Sequence, residues 1–223
     1  YTAPGEYWNS DKNFDWVAWS LSIIQCFRNA GGKRILCAGT CAEYDWTYGY
    51  CVENVTPTKP KTIYGSAKRA LYELLSAGAE RGYYSLAWGR VFHLYGPFEK
   101  EQRFIPGIIT SLLAGKETVC QNGGLIRDFM HVSDVGGAFA GLALSNVQGA
   151  VNIADGNPVT LGDIALNIAG KMGREDLVTI LVPEHNRQND RMLVGSAQRL
   201  QTEVGYISKF NIENGLVNTI DWW

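Results

Sequence analysis

Tyr64 and Lys68 stand four residues apart in the run Tyr64-Gly65-Ser66-Ala67-Lys68. On a helix, positions i and i+4 share one face. A phenol has a pKa of about 10 and neither gives nor takes a proton readily at neutral pH. A neighbouring ammonium favours the phenolate and lowers that value. Moving it from about 10 to about 7 takes roughly 4 kcal/mol of differential stabilisation. One desolvated cation within a few ångströms supplies much of that. The chemistry on offer is proton transfer at a hydroxyl or a carbonyl. Taken alone, the spacing equally suits a half-buried Tyr and a surface Lys on an ordinary helix.

Elements must carry this pair to other groups. Apolar residues at Ala67, Ala70, Leu71, Leu74 and Leu75 predict a helix from Tyr64 to Gly82. Phe14, Val17, Ala18, Leu21, Ile24 and Phe27 predict an earlier helix, capped near Asn9-Ser10-Asp11 and stopped by Gly31-Gly32. The run from Arg34 to Ala38 reads as a buried strand, and Tyr83 to Phe92 as another. Helix, strand, helix, strand predicts an α/β fold with parallel strands and crossover helices. Ligands of such sheets gather at the carboxyl ends of the strands. Gly39-Thr40 places a hydroxyl there.

Beyond residue 97 the pattern shortens. It predicts a helix over 105–113, a hairpin across 117–132 around Asn122-Gly123-Gly124, and a helix from Ser133-Asp134 to Leu144. Val151-Asn152-Ile153 reads as a short strand, and Thr160 with Asp163 opens a helix to Met172. Two more helices are expected over 196–204 and 212–220. Residues 1–97 therefore read as a sheet domain bearing the catalytic groups. Residues 98–223 read as a smaller α+β lobe, with some segments returning to the sheet.

Composition excludes several classes. With a net charge of −2, the chain has no cation excess for binding a nucleic-acid backbone. No apolar run reaches the ~18–20 residues that cross a bilayer. Cysteines 26, 37, 41, 51 and 120 are odd in number and form no CxxC, so reduced thiols in a cytoplasmic protein are expected, with no metal site.

Four segments carry a family resemblance: the strand-end Thr40, Tyr64-x-x-x-Lys68, Arg90 with Tyr95-Gly96-Pro97, and Arg127-Asp128-Phe129-Met130-His131-Val132-Ser133-Asp134-Val135. In this order and spacing the chain resembles the extended short-chain dehydrogenase/reductases. More narrowly, it resembles the NAD(P)-dependent epimerase/dehydratase group acting on nucleotide sugars. The resemblance implies a Rossmann-like doubly wound parallel sheet, incomplete at its N-terminus, with a smaller substrate lobe. It implies Tyr64 as the acid/base, Thr40 on the reacting oxygen, and Lys68 at the nicotinamide ribose, with Gly39 also at the cofactor. A nucleotide-diphosphate sugar is the implied partner. Arg127 and Arg191 would clamp its pyrophosphate, Arg103 would assist, and His93 would replace a common Asn that touches substrate. His131 is expected to pack a strand–helix junction, and His185 to be exposed. A homodimer through helices 14–30 and 64–81 is also implied.

Two departures matter. Where nucleotide-sugar 4,6-dehydratases carry an Asp-Glu pair after the Thr, this chain has Cys41 and Ala42. An alanine transfers no proton, so a 4-epimerase or 4-ketoreductase is expected ahead of a dehydratase, with a non-catalytic relative as a further alternative. Secondly, no GxGxxG or GxxGxxG follows a strand. The first βαβ units are therefore expected on a segment outside these 223 residues. The residue that separates NAD from NADP would go with them, so either cofactor is expected.

Overall fold

The computed structural model describes residues 7–183 and 191–223. His185 lies outside the described residues. In chain order the elements are α1 (Lys12–Asn29), β1 (Arg34–Thr40), β2 (Tyr50–Cys51), α2 (Ile63–Glu80), β3 (Ser85–Val91) and β4 (His93–Tyr95). Then come α3 (Phe104–Leu113), β5 (Thr118–Cys120), β6 (Ile126–His131), α4 (Val132–Leu144), β7 (Gly149–Ile153) and β8 (Pro158–Thr160). The chain closes with α5 (Leu161–Met172), β9 (Val178–Ile180), β10 (Met192–Gly195), α6 (Gln198–Thr202) and α7 (Ile212–Trp222).

Strands β1, β3 and β7 form a parallel sheet in that order, with Thr40 opposite Val91 at the carboxyl end. Both faces are covered. Ile35, Leu86 and Trp88 pack with Leu71 and Leu75 of α2, and Leu21 and Ile24 of α1 lie behind them. On the other face Ala87, Val151 and Ile153 pack with Ala138 and Leu142 of α4. Burial on two faces accounts for the consecutive apolar residues Leu86, Ala87 and Trp88 in β3. The outer edge of β7 is closed by side chains: Arg199 donates to the Ala150 and Gln148 carbonyls, and Glu53 accepts from the Asn152 amide.

The remaining strands build the second lobe. A five-stranded sheet runs β2-β10-β6-β4, with β8 antiparallel on β6. A separate parallel pair joins β5 to β9. The core of this lobe is Ile105, Ile108, Ile109 and Leu112 of α3 against Ile164 and Ile168 of α5.

The expected hairpin over 117–132 is corrected here. β5 and β6 do not pair with each other; β5 takes β9 as its neighbour, while β6 lies between β4 and β10. The Gly-Gly segment turns the chain from one sheet into the other. The amide of Gly123 donates to the Leu181 carbonyl, and Gly162 of α5 packs against its backbone. The α5 start matches its signal: Thr160 Oγ1 accepts from the Asp163 amide at 2.9 Å, and Gly173 ends the helix in the left-handed region.

Candidate active site

β1 ends on Thr40, which is buried at 7% exposure. Its hydroxyl accepts from the Ala42 amide at 3.2 Å, and its own amide donates to Glu43 Oε1 at 2.9 Å. Together these form a capping box that opens a 3-10 turn over Cys41–Glu43. The turn forces the chain away from the sheet and leaves Thr40 at its rim.

Helix α2 is docked on that turn. Thr62 caps it, accepting from the Gly65 amide at 3.1 Å. A side chain at position 65 would collide with the Ala42 carbonyl and lie 2.9 Å from Pro60 Cβ. Glycine therefore seats the first turn of the helix, with Tyr64, directly on the turn that follows Thr40. The Tyr64 amide donates to the Trp8 carbonyl at 2.9 Å. Its ring meets Tyr7 and Trp8 edge-on, with centroids 5.1 and 5.7 Å away.

Lys68 is one turn further along and 8% exposed. Its Nζ donates to the Ala38 carbonyl of β1 at 2.8 Å, two residues before Thr40. Burial lowers the pKa of this ammonium, and the charges of Glu43 and Cys37 oppose that shift. Thr40 and Lys68 thus meet the end of β1, and Tyr64 stands one helical turn before Lys68 on α2. This donor set suits the ribose and reacting centre of a nicotinamide cofactor: a hydroxyl, a phenol and a buried ammonium at the carboxyl end of a parallel sheet. Gly39 lies in the same stretch, and its bare Cα makes room for the Trp88 indole and the Glu43 carboxylate.

The expected substrate residues form a second group. His93 opens β4, and its half-buried ring packs beside Phe129 at 5.4 Å. Burial, then the charges of Arg127 and Arg103, push its pKa down to about 4, so the imidazole is neutral at pH 7. Its Nδ1 is buried and has no hydrogen-bond partner among the described residues. Arg103 is the N-cap residue of α3 and acts on both His93 and Glu99. The Glu99 carboxyl is raised to about 7, chiefly by burial. Arg127 lies on β6, where its Nη1 donates to the Ile126 carbonyl at 2.8 Å and, more weakly, to the Arg191 carbonyl at 3.4 Å. Arg191 precedes β10 and is exposed. His93, Arg103 and Arg127 are therefore electrostatic neighbours, and Arg191 adjoins them through the strand pairing of β10 with β6.

Sequence reasoning gave no role to several polar residues that are buried near the site. Glu43 is fully buried and bridges to Arg90 at 2.7 Å. Asp128 is buried and accepts from the Asp155, Gly156 and Gly195 amides at 2.9–3.1 Å, tying the loop after β7 to the end of β10. Asp134 likewise accepts from the Tyr206 hydroxyl and from the Lys209 and Phe210 amides. One signal for Glu43 was present, since Thr40-x-x-Glu43 is a capping-box sequence. His131 behaves as expected: its Nδ1 accepts from the Ser133 amide, and its ring stacks on Phe210 at 4.1 Å.

The fold is a Rossmann-like α/β sheet with an appended α+β lobe. The chain belongs to the NAD dependent epimerase/dehydratase family, whose model matches residues 3–154. It is 27% identical over 175 residues to dTDP-glucose 4,6-dehydratase of Mycolicibacterium smegmatis, covering 75% of this chain and 51% of the relative. The corresponding enzyme of Neisseria gonorrhoeae is 26% identical over 192 residues, covering 75% and 52%. The chain thus spans about half the length of these relatives. Among solved structures, UDP-N-acetylglucosamine 4-epimerase from Methanobrevibacter ruminantium M1 superposes with a TM-score of 0.82 at 20% identity, covering 91% of this chain and 66% of that one. MoeE5 in complex with UDP-glucuronic acid and NAD gives 0.76 at 26% identity, covering 89% and 67%.

Proposed function

We propose that this chain carries the catalytic groups of an NAD(P)-dependent enzyme that oxidises or reduces a carbon of a nucleotide-diphosphate sugar, as a 4-epimerase or a 4-ketoreductase. The observation that supports it best is the Lys68 Nζ bond to the Ala38 carbonyl, which puts a buried ammonium at the strand end beside Thr40 and one helical turn from Tyr64. When bound, the nicotinamide supplies the hydride chemistry that no side chain provides. Lys68 would hold its ribose. Tyr64 would move the proton at the sugar oxygen, with Thr40 hydrogen-bonded to that oxygen. Such acid–base assistance contributes ~10²–10⁴-fold. Arg127 and Arg191, with Arg103, would bind the pyrophosphate, for which a planar, permanently charged guanidinium is suited. Neutral His93 would line the substrate side of the site, in place of the common Asn.

A dehydratase is the second reading, and the similar dTDP-glucose 4,6-dehydratases favour it. The 41–43 turn argues the other way. The Cys41 thiol is buried and pushed up to about 12, Ala42 has no proton to give, and Glu43 is bound by three donors. The five cysteines are free, which suits a cytoplasmic setting. Among the described residues no helix is long and apolar enough to cross a membrane. We also propose a homodimer through α1 and α2.

Product analysis of the full-length protein with UDP- and dTDP-sugars tests the reading. An epimerase interconverts sugars without added cofactor, and a reductase consumes one equivalent of NAD(P)H per turnover. A 4-keto-6-deoxy product would select the dehydratase. No turnover of any nucleotide sugar would contradict all three.

A further inference from the structure

The Glu43 carboxylate is placed where the strand end, the sheet and the Tyr-Lys helix meet. Its Oε1 accepts from the Thr40 amide at 2.9 Å and from Trp88 Nε1 at 3.0 Å, and its Oε2 accepts from Arg90 Nε at 2.7 Å. Arg90 is itself fixed. Its Nη1 donates to the Tyr44 hydroxyl at 3.1 Å, and that hydroxyl donates to Asn152 Oδ1 at 2.8 Å. The guanidinium also lies against the rings of Tyr44 and Tyr72. A side chain at Gly39 would come within 2.6 Å of Glu43 Oε1, so glycine is what lets the carboxylate cross the strand end.

We propose that Glu43 is a positioning residue of the Thr40–Tyr64–Lys68 site: it fixes Thr40 through the backbone amide and supplies the buried negative charge that faces Lys68. The proposal rests on the catalytic reading given above. The groups that bear on the Lys68 ammonium include the Ala38 carbonyl that it donates to, Cys37 on the same strand, and Glu43 from the turn. Burial works against its charge, and Glu43 works for it. Arg90 on β3 faces the other oxygen of the same carboxylate, so Glu43 is shared between two cations. A carboxylate in the turn after the strand-end Thr thus acts from beneath, through other residues, rather than on the substrate.

Glu43→Gln and Glu43→Asp in the full-length protein separate the two parts of the proposal. Lys68 is followed by ¹³C NMR at Cε, assigned by its loss in Lys68→Arg. In Glu43→Gln the Lys68 titration is expected to move down by about half a pH unit or more. Its kcat should fall about 10-fold or more, with KM for the nucleotide sugar little changed. Glu43→Asp keeps the charge but is one methylene too short to hold the Thr40 amide. Its Lys68 titration should stay near that of the parent while kcat falls. A folded Glu43→Gln protein with unchanged titration and unchanged kcat would overturn the proposal and leave Glu43 as packing. Should neither variant fold, hydrogen exchange on the parent protein decides. The Thr40 amide should exchange as slowly as the interior of β1, and fast exchange would overturn the clamp. The Lys68 titration and the Thr40 amide exchange do not depend on Tyr64, so retained turnover in Tyr64→Phe would refute the catalytic reading alone.

Discussion

His93 sits where its surroundings oppose a positive charge on the imidazole. Its pKa lies near 4, below the 6.5 of a free imidazole, because it is buried beside Arg127 and Arg103. Between those two values the unfolded chain binds a proton that the folded chain refuses, so stability is lost as pH falls through that window. Asp128 works in the opposite direction. Its pKa is raised to about 6 by burial, so the folded chain takes up the proton first and gains stability as pH falls. His93→Asn isolates the first contribution. From pH 7 to pH 4 the parent protein should lose up to about 3 kcal/mol relative to the variant. Thermal unfolding at a series of pH values measures this, and parallel curves for the two proteins would refute it.

At the scale of elements, the catalytic geometry depends on how closely α2 approaches the turn after β1. Gly65→Ala forces a methyl into the Ala42 carbonyl, which is backbone and yields little. A cost of about 1–3 kcal/mol is expected, together with a fall in turnover as Tyr64 is displaced. Gly136→Ala in α4 is the control. A Cβ there meets nothing within 4 Å, so Ala should stabilise the helix by about 0.5–1 kcal/mol and leave turnover unchanged. Chemical denaturation and initial rates on both variants check the contrast. The helices were legible in the sequence because α2 and α5 repeat their apolar residues at helical spacing, and α5 also carries its cap at Thr160; the Thr62 cap of α2 was not read. The short strands were not. β5 and β6 each find their partner far along the chain, at 178–180 and at 93–95 and 192–195, and no local pattern records such a pairing. Tyr64, Lys68 and Thr40 were legible as a spacing and a strand end. The polar support beneath them was not, because Arg90, Tyr44 and Asn152 meet only once the strands are stacked.

Across the whole molecule, α1 presents apolar side chains that are exposed among the described residues. Trp19, Ile23 and Phe27 fall at i, i+4 and i+8 on α1 and are 56%, 69% and 44% exposed. That stripe suits the proposed homodimer. Ile23→Glu should lower the mass seen by analytical ultracentrifugation from dimer to monomer, and an unchanged mass would refute this face as the contact. Beneath dimer, lobe and sheet lies one proposal, that the Tyr64 hydroxyl moves the proton at the sugar oxygen while Lys68 supports it. The most direct measurement is turnover of a nucleotide sugar by the Tyr64→Phe variant of the full-length protein. A fall in kcat of ~10²–10⁴-fold is expected, with circular dichroism and NAD(H) affinity preserved. A folded variant that turns over at close to the parent rate would contradict it.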